Sequence, residues 1–390
     1  MYTLLLALIY LAFISLGLPD TLLGTAWPVM RIEFGLPMSY AGIISMIISG
    51  GTIVSSLMSE RLTKKLGTPA VTVASVFLTA VSLFGFSVSK SFLPLCFLAV
   101  PYGLGAGAID AALNNYVAVH YNSRHMSWLH CFWGLGASIS PYIMGYAIGA
   151  GHGWRTGYGI VSVIQLTLTV FLFFSLPLWK KKTTLDPTDE NYEAPITLRQ
   201  ALRIKGVKSI LFAFFAYCAF ESTAGLWAST YLVDHKGIDA QTAAAFASFF
   251  YLGITFGRFL CGFIADKLGD KALIRIGIGG MLFGVIMIIL PLSTSVLALA
   301  GLIVAGIGAA PVYPSVIHST PEHFGKQNSH AIVGIQMASA YTGTTLMPPL
   351  FGLIAEHINV AIYPFYLAAF VLLVLVMTEA VNKTVPSRAN

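Results

Sequence analysis

The sequence predicts an all-α membrane protein with twelve transmembrane helices in two related six-helix bundles. Three observations carry that prediction: 56% of the 390 residues are hydrophobic and only 10% charged, apolar runs of roughly 18–28 residues recur from end to end, and patterns of the first half return about 200 residues later. A water-soluble domain carries about 25% charged residues. A chain this apolar has lipid as its solvent, and each run can cross a hydrocarbon layer about 30 Å thick as a helix.

The predicted spans of the first half are Tyr2–Met30, Met38–Met58, Ala70–Ser89, Phe92–His120, Met126–Ala150 and Gly157–Trp179. Those of the second are Ile210–Val233, Ala243–Ile264, Ile274–Leu292, Ser295–Ile317, Ala331–Ala355 and Ala361–Val381. The opening run lacks a basic leader and a small-residue cleavage site and is too long for a secretory signal, so it reads as a retained first span. Residues 181–208 carry charges, Pro187 and Pro195 with little apolar periodicity, which marks a cytoplasmic linker with room for a short amphipathic helix around Leu198–Ile204. The expected domains are thus an N-terminal bundle over 1–180, the linker over 181–208, and a C-terminal bundle with a short tail over 209–390.

One set of connections is rich in bases, among them Arg61, Lys64, Lys65, Arg124, Lys180, Lys205, Lys208, Lys267, Lys271 and Arg275, whereas the opposite set holds Arg31, Lys90, Arg155 and Lys236. The positive-inside rule places the first set and both termini in the cytoplasm, and the short loops suit a bacterial inner membrane. The net charge of +6 is therefore topological, with no basic, aromatic-interleaved module to bind nucleic acid. Cys96, Cys131, Cys218 and Cys261 all fall inside spans with no CxxC pair or Cys/His cluster, so no metal or disulfide is expected.

The repeats are ordered. Gly257-Arg258 through Gly262, Asp266-Lys267, Gly269 and Lys271 follows the second span of the second half, and Ser59-Glu60-Arg61 through Gly67 stands at the matching place in the first. Gly103 and Gly105 answer Gly306 and Gly308; Gly136, Pro141 and Gly145 answer Gly343, Pro348 and Gly352. Glycines let helices approach closely, and an acid followed by bases can pair across a closing gate or simply anchor the topology. Glu60, Arg61, Arg258, Gly262, Asp266, Lys267, Gly269 and Lys271 form the candidate gating motif.

An ionised side chain at mid-bilayer costs at least about 2.5–3.5 kcal/mol, so each needs a partner, a water cavity or a function. Asp20, Asp110 and Glu221 lie well inside predicted spans. Asp20 sits beside Gly17, Pro19 and Gly24, where a helix bends most easily; Gly103, Gly107, Asp110 and Asn114 form one stripe of the fourth span; Glu221 shares a face with Ala224 and Ala228, near Trp227 and Tyr231. Each acid is either a proton carrier or a carboxyl tied to a helix dipole or hydroxyl. His130, aligned with Gly134, Ser138, Pro141 and Gly145 in the fifth span, is a solute contact, a proton shuttle or a packing residue. Asn115, Gln165, Tyr313 and Gln336 are further polar candidates. Trp133, Trp227, Tyr231 and Tyr313 could stack on sugar rings whose hydroxyls seek Asn114, Glu221 and Gln336, or could fill the bundle and its interfaces. Gly103-Leu-Gly105-Ala-Gly107 follows no strand, and no Walker A pattern occurs, so neither a nucleotide cofactor nor direct ATP coupling is expected.

The run Gly262, Asp266-Lys267, Gly269, Lys271 resembles the loop signature of the major facilitator superfamily, and the duplication extends that resemblance over nearly the whole chain. Asp20 after Gly17-Leu-Pro19, the fourth-span Gly-rich run leading to Asp110 and Asn114, and Tyr217, Glu221, Trp227 and Tyr231 are similar to the fucose/galactose/glucose:proton symporter branch. The sequence departs from that branch in carrying Asp110 where Glu is common and Asn115 where some members have Pro. The resemblance implies a monomer, not an enzyme, that takes up a monosaccharide or related polyol with a proton by rocking one half against the other. The rival readings are a proton-coupled exporter of lipophilic compounds, suggested by Gly134, Gly136, Pro141 and Gly145, and a nontransporting sensor on the same scaffold.

Overall fold

The computed structural model describes residues 2–37, 40–179, 196–238, 240–290 and 296–385, and all regular structure among them is helical. In chain order come α1 (Tyr2–Gly17), α2 (Leu22–Phe34), α3 (Tyr40–Leu66), α4 (Thr68–Val88), α5 (Phe92–His120), α6 (Ser123–Gly149) and α7 (Gly153–Trp179). They are followed by α8 (Leu198–Ala201), α9 (Val207–Asp234), α10 (Ala240–Leu268), α11 (Asp270–Ile289), α12 (Val296–Ala309), α13 (Val312–His318), α14 (Thr320–Phe324), α15 (Lys326–His357), a 3₁₀ turn at Val360–Ile362 and α16 (Tyr363–Thr384). Ten stretches among the described residues combine the length and apolar composition of a membrane span. The expected fifth and eleventh spans coincide with α6 and α15, which are 27 and 32 residues long. Polar side chains toward their N-terminal ends, Arg124, His125, Ser127 and His130 in one and Lys326 to His330 in the other, make them less apolar than the rest.

The chain packs as two compact units, Met1–Tyr116 with Phe132–Ile196 and Val117–Cys131 with Thr197–Asn390. The segment that closes α5 and opens α6 thus belongs to the second unit. Most of the expected linker, residues 181–195, lies outside the described residues, as does Lys180 before it; the expected short helix is α8, started by a capping box between Thr197 and Gln200.

Within each unit the matched glycines do matched work. A Cβ on Gly103 would lie 2.2 Å from the Ile48 carbonyl oxygen of α3, and one on Gly105 would lie 2.8 Å from that of Ser75 in α4. In the second unit a Cβ on Gly306 would meet the Phe250 carbonyl oxygen of α10 at 2.3 Å, and one on Gly308 would meet the Met281 nitrogen of α11 at 2.3 Å. Helices α5 and α12 are each wedged between two neighbours at backbone contact, the close packing that small residues permit in lipid. Gly136 likewise presses on Ile14 of α1, and its counterpart Gly343 on Phe215 of α9.

The two motif copies are helical rather than looped. Helix α3 runs on through Ser59–Leu66 and α10 through Leu268, leaving Gly67 (φ 83°) and Gly269 (φ 76°) as one-residue joints in the left-handed half of backbone space. Apolar runs alone end these spans too early. Basic residues in the last turn complement the helix dipole, and Glu60 pairs with Lys64 one turn on at 2.9 Å, so the helix continues past the lipid boundary.

Candidate functional site

The first span is interrupted at Leu18–Thr21, between α1 and α2. Pro19 has no N–H, so the carbonyl four residues earlier, on Ser15, loses its helical donor. The Gln165 side-chain nitrogen from α7 takes that place at 2.7 Å, while the Gln165 oxygen accepts from the Thr79 hydroxyl of α4 at 3.0 Å. Gln165, a polar candidate in the sequence, therefore holds the break open rather than offering itself to a solute.

Asp20 stands in that break and is exposed. The Trp133 indole nitrogen donates to one carboxylate oxygen at 2.9 Å and the Tyr102 hydroxyl to the other at 3.4 Å. The placement follows from small residues: a Cβ on Gly17 would lie 2.1 Å from the Trp133 carbonyl oxygen, so α1 and α6 touch backbone to backbone. The Thr21 hydroxyl, donating to the Ala137 carbonyl at 2.9 Å, fastens the break to α6. Trp133 entered the sequence reading as a stacking surface; its indole N–H is engaged by Asp20. Tyr102 was missed there because nothing in its local sequence links it to a residue 82 positions away.

Asp110 and Asn114 are both buried, and the Asn114 amide donates to the Asp110 carboxylate at 2.8 Å and to its carbonyl at 3.0 Å. The stripe read from spacing is partly a packing seam, since Gly103 and Gly107 press on Ile48 and Thr52 of α3. Asp110 is close enough to Asp20 for their charges to interact. Two carboxyl groups, an amide, a phenol and an indole thus gather within the first unit. Asn115, the next residue along α5, is half-buried.

The second unit carries a different cluster. Arg258 is 3% exposed and pairs with Glu221 at 3.3 Å, and its guanidinium lies 5.8 Å from the Tyr313 ring. Tyr313 is also ringed by His130 (4.6 Å between centroids), Phe214 (4.5 Å) and Tyr217 (5.9 Å). The tenth span breaks here, between α12 and α13, and the Tyr217 hydroxyl donates to the Ala309 carbonyl at the end of α12 at 2.9 Å. The Arg258 partner separates Glu221 from Asp20, whose carboxyl meets an indole and a phenol, and from Asp110, which meets the Asn114 amide.

The remaining candidates are packed. Trp227 donates to the Pro348 carbonyl at 2.9 Å and lies edge-on to Phe351. Tyr231 is buried, stacks near Tyr363 and reaches the Ile288 carbonyl at 3.5 Å. Gln336 is fully buried against Thr320, whose one hydroxyl proton cannot serve both the Gln336 oxygen at 3.0 Å and the Val316 carbonyl at 3.1 Å. Turning the amide over lets Gln336 donate to Thr320 and satisfies both.

At the base-rich end of the second unit, Asp266 takes the Arg124 side chain in an ion pair, and the Arg124 backbone N–H donates to it at 3.2 Å. Gly262 leaves room for Trp128, whose indole nitrogen would lie 1.9 Å from a Cβ at that position. Lys267 and Lys271 are exposed, as is Arg61 in the first unit, where buried Glu60 pairs with Lys64 instead of spanning elements. The sequence marks Arg124 only as one of the cytoplasmic bases and does not mark Trp128, because both stand at the start of α6, more than 130 residues from the motif they meet.

Comparison with known proteins agrees with this architecture. The family model described as Major Facilitator Superfamily matches residues 9–341 and 210–387. The cis,cis-muconate transport protein of Acinetobacter baylyi is 23% identical over 274 residues, 67% of this chain and 66% of that protein. The hexuronate transporter of Bacillus subtilis is 24% identical over 390 residues, 90% of this chain and 87% of its own length. A solved structure of the E. coli fucose:proton symporter FucP superposes with a TM-score of 0.78 at 16% identity, covering 97% of this chain and 98% of that one.

Proposed function

The chain belongs to the major facilitator superfamily, a transporter rather than an enzyme, and from that premise we propose that it takes up a small polar solute, a monosaccharide or related polyol, together with a proton by alternating access. The observation that carries the reading is Asp20: an accessible carboxyl set in the break of a membrane helix, between an indole and a phenol and within electrostatic reach of Asp110. Discontinuous helices are where secondary transporters bind substrate and coupling ions. Solute hydroxyls would compete for the donors and acceptors of Tyr102, Trp133 and Asp110, and Asp20 would take up the proton that neutralises it for the crossing. The two bundles over 1–180 and 209–390 would rock about this site, as a monomer in the bacterial inner membrane with both termini inside. The solute named for the fucose:proton symporter supports the sugar, and its proton supports the coupling.

A second reading, a solute bearing a carboxylate, is favoured by Arg258, a buried cation in a family whose relatives include muconate and hexuronate transporters. Its charge is already met by Glu221, so the neutral solute is preferred.

Uptake by purified protein in proteoliposomes, against a panel of sugars, sugar acids and a dicarboxylate, tests both. With an inward proton gradient the unmodified chain should accumulate a sugar, whereas Asp20→Asn and Asp110→Asn should retain exchange of labelled for unlabelled sugar and lose accumulation. Undiminished accumulation by both variants would remove the carboxyls from the coupling, and expulsion of a lipophilic dye without sugar uptake would favour the exporter.

A further inference from the structure

We propose that His318 and Asp270 form a proton-binding site that fastens the segment Val117–Cys131 to the second unit, and that release of this proton unfastens it. Asp270 is the first residue of α11 and His318 the last of α13; their side chains are 6% and 13% exposed. The His318 Nδ1 stands 2.5 Å from one Asp270 oxygen, and its Nε2 stands 3.0 Å from the Tyr121 backbone carbonyl. The second Asp270 oxygen accepts from the Ser123 hydroxyl at 2.5 Å.

Proton counting gives these distances their meaning. A carbonyl oxygen only accepts, so Nε2 must carry hydrogen to bond Tyr121. A neutral imidazole with hydrogen on Nε2 has a lone pair on Nδ1, and a lone pair 2.5 Å from an ionised carboxylate is repelled. The observed contact therefore holds one more proton, on Nδ1 as imidazolium beside carboxylate or on Asp270 donating to Nδ1. When that proton leaves for water, the one hydrogen left on the ring can serve the Asp270 carboxylate from Nδ1 or the Tyr121 carbonyl from Nε2 but not both, so on one side two acceptors are left face to face in a nearly dry position. The stable response is separation on that side, which loosens the segment either at Tyr121 or at the Asp270 carboxylate that Ser123 bonds.

Other charged or titratable groups stand around the site, among them the exposed Lys267 and Lys271 that flank Asp270 in sequence. Glu322 of α14 acts on His318 through its charge, His125 lies edge-on to Tyr121, and Arg124, next to Ser123, is committed to Asp266. An arginine–carboxylate pair is a fastening that does not respond to protons near neutral pH, whereas histidine is the side chain that does. The site is distinct from Asp20 and Asp110, which sit in the first unit, and it stands whether or not those carboxyls carry the transported proton.

Hydrogen exchange of the peptide covering residues 121–131, in the full-length protein in lipid nanodiscs from pH 6 to 9 and corrected for the chemical exchange rate, reads the fastening. It is measured in the unmodified chain and in Arg124→Gln, so that the ion pair cannot mask the effect. We expect protection to fall at least about tenfold as pH rises through the histidine range. Asp270→Asn should stay protected throughout, because an amide can donate to the bare Nδ1 of a neutral imidazole and needs no extra proton. His318→Phe should be unprotected at every pH; if it fails to fold, the asparagine variant still decides. Protection that ignores pH in both the unmodified chain and Arg124→Gln overturns the site, as does a fall in Asp270→Asn equal to that of the unmodified chain. Loss of sugar accumulation in Asp20→Asn with this pH response intact would leave the site standing while bearing only on the transport reading.

Discussion

Removing Glu221 leaves Arg258, 3% exposed, without its carboxylate, a buried charge whose cost outweighs whatever the pair itself contributes, whereas removing Arg258 leaves Glu221, 17% exposed, nearer to solvent. Glu221→Met alone is expected to destabilise by about 3–5 kcal/mol, Arg258→Met by less, and Glu221→Met/Arg258→Met together by much less than the sum of the two single changes. Thermal unfolding of the four proteins in detergent checks this, and additive losses would mean that the two groups are not coupled. At the opposite extreme of exposure, Glu33 of α2 meets Arg155 at 2.7 Å and the Trp154 indole at 2.7 Å. The Arg155 hydrogen bond, more than any other influence, holds the Glu33 carboxyl below its ordinary range. A depressed carboxyl contributes stability that is present above its unfolded pKa and lost as pH falls through its folded one. Glu33→Gln should thus lower stability by no more than about 1 kcal/mol at pH 7, and the gap to the unmodified chain should close in acid below the ordinary glutamate range. The acids were legible in sequence because charge inside an apolar run is rare; their partners were not, since pairing across helices is decided by packing that no local pattern records.

Glycine acts at the scale of the element, and its neighbours separate two kinds. A Cβ on Gly136 would sit 2.2 Å from the Ile14 carbonyl oxygen, whereas one on Gly145, nine residues along the same helix, would meet nothing within 4 Å. Gly136→Ala must push α6 off α1, an overpacking that costs about 1–3 kcal/mol. Gly145→Ala should be neutral or gain up to about 1 kcal/mol from helix propensity. Comparing their unfolding temperatures checks the contrast, and equal behaviour would show that the α1–α6 seam yields freely. The same reasoning explains what the sequence revealed about helices. Matched glycines disclosed the duplication because close helix crossings tolerate little else, and Pro19 among glycines marked the bend at Asp20. Pro101 and Pro141 lie inside unbroken helices, however, and the interruption before Val312 went unread, because whether a membrane helix stays continuous at a proline depends on which neighbours satisfy the backbone groups around it. Gln165 does so for Ser15, and Tyr217 serves the last carbonyl of α12.

For the whole molecule the charge carried per cycle separates the two solute readings. A neutral sugar crossing with one proton moves one positive charge, worth about 2.3 kcal/mol at 100 mV, enough for roughly fiftyfold accumulation. A monocarboxylate crossing with one proton moves no net charge and gains nothing from that potential, though it still responds to a pH difference. Proteoliposomes with a potassium diffusion potential of about 100 mV, negative inside, and equal pH on both faces therefore give different answers for the two. The sugar reading expects inward accumulation toward that limit, dependent on Asp20; the acid reading expects none until a pH gradient is added. The fold is indifferent to this choice, since both solutes could be handled by the same helices. The choice rests on whether Arg258 stays neutralised by Glu221 throughout the cycle, which makes Glu221→Gln the informative variant. With a sugar it should leave potential-driven uptake in place provided the protein folds. With a carboxylate it frees a permanent cation and should turn electroneutral, pH-driven uptake into uptake that no longer needs that proton.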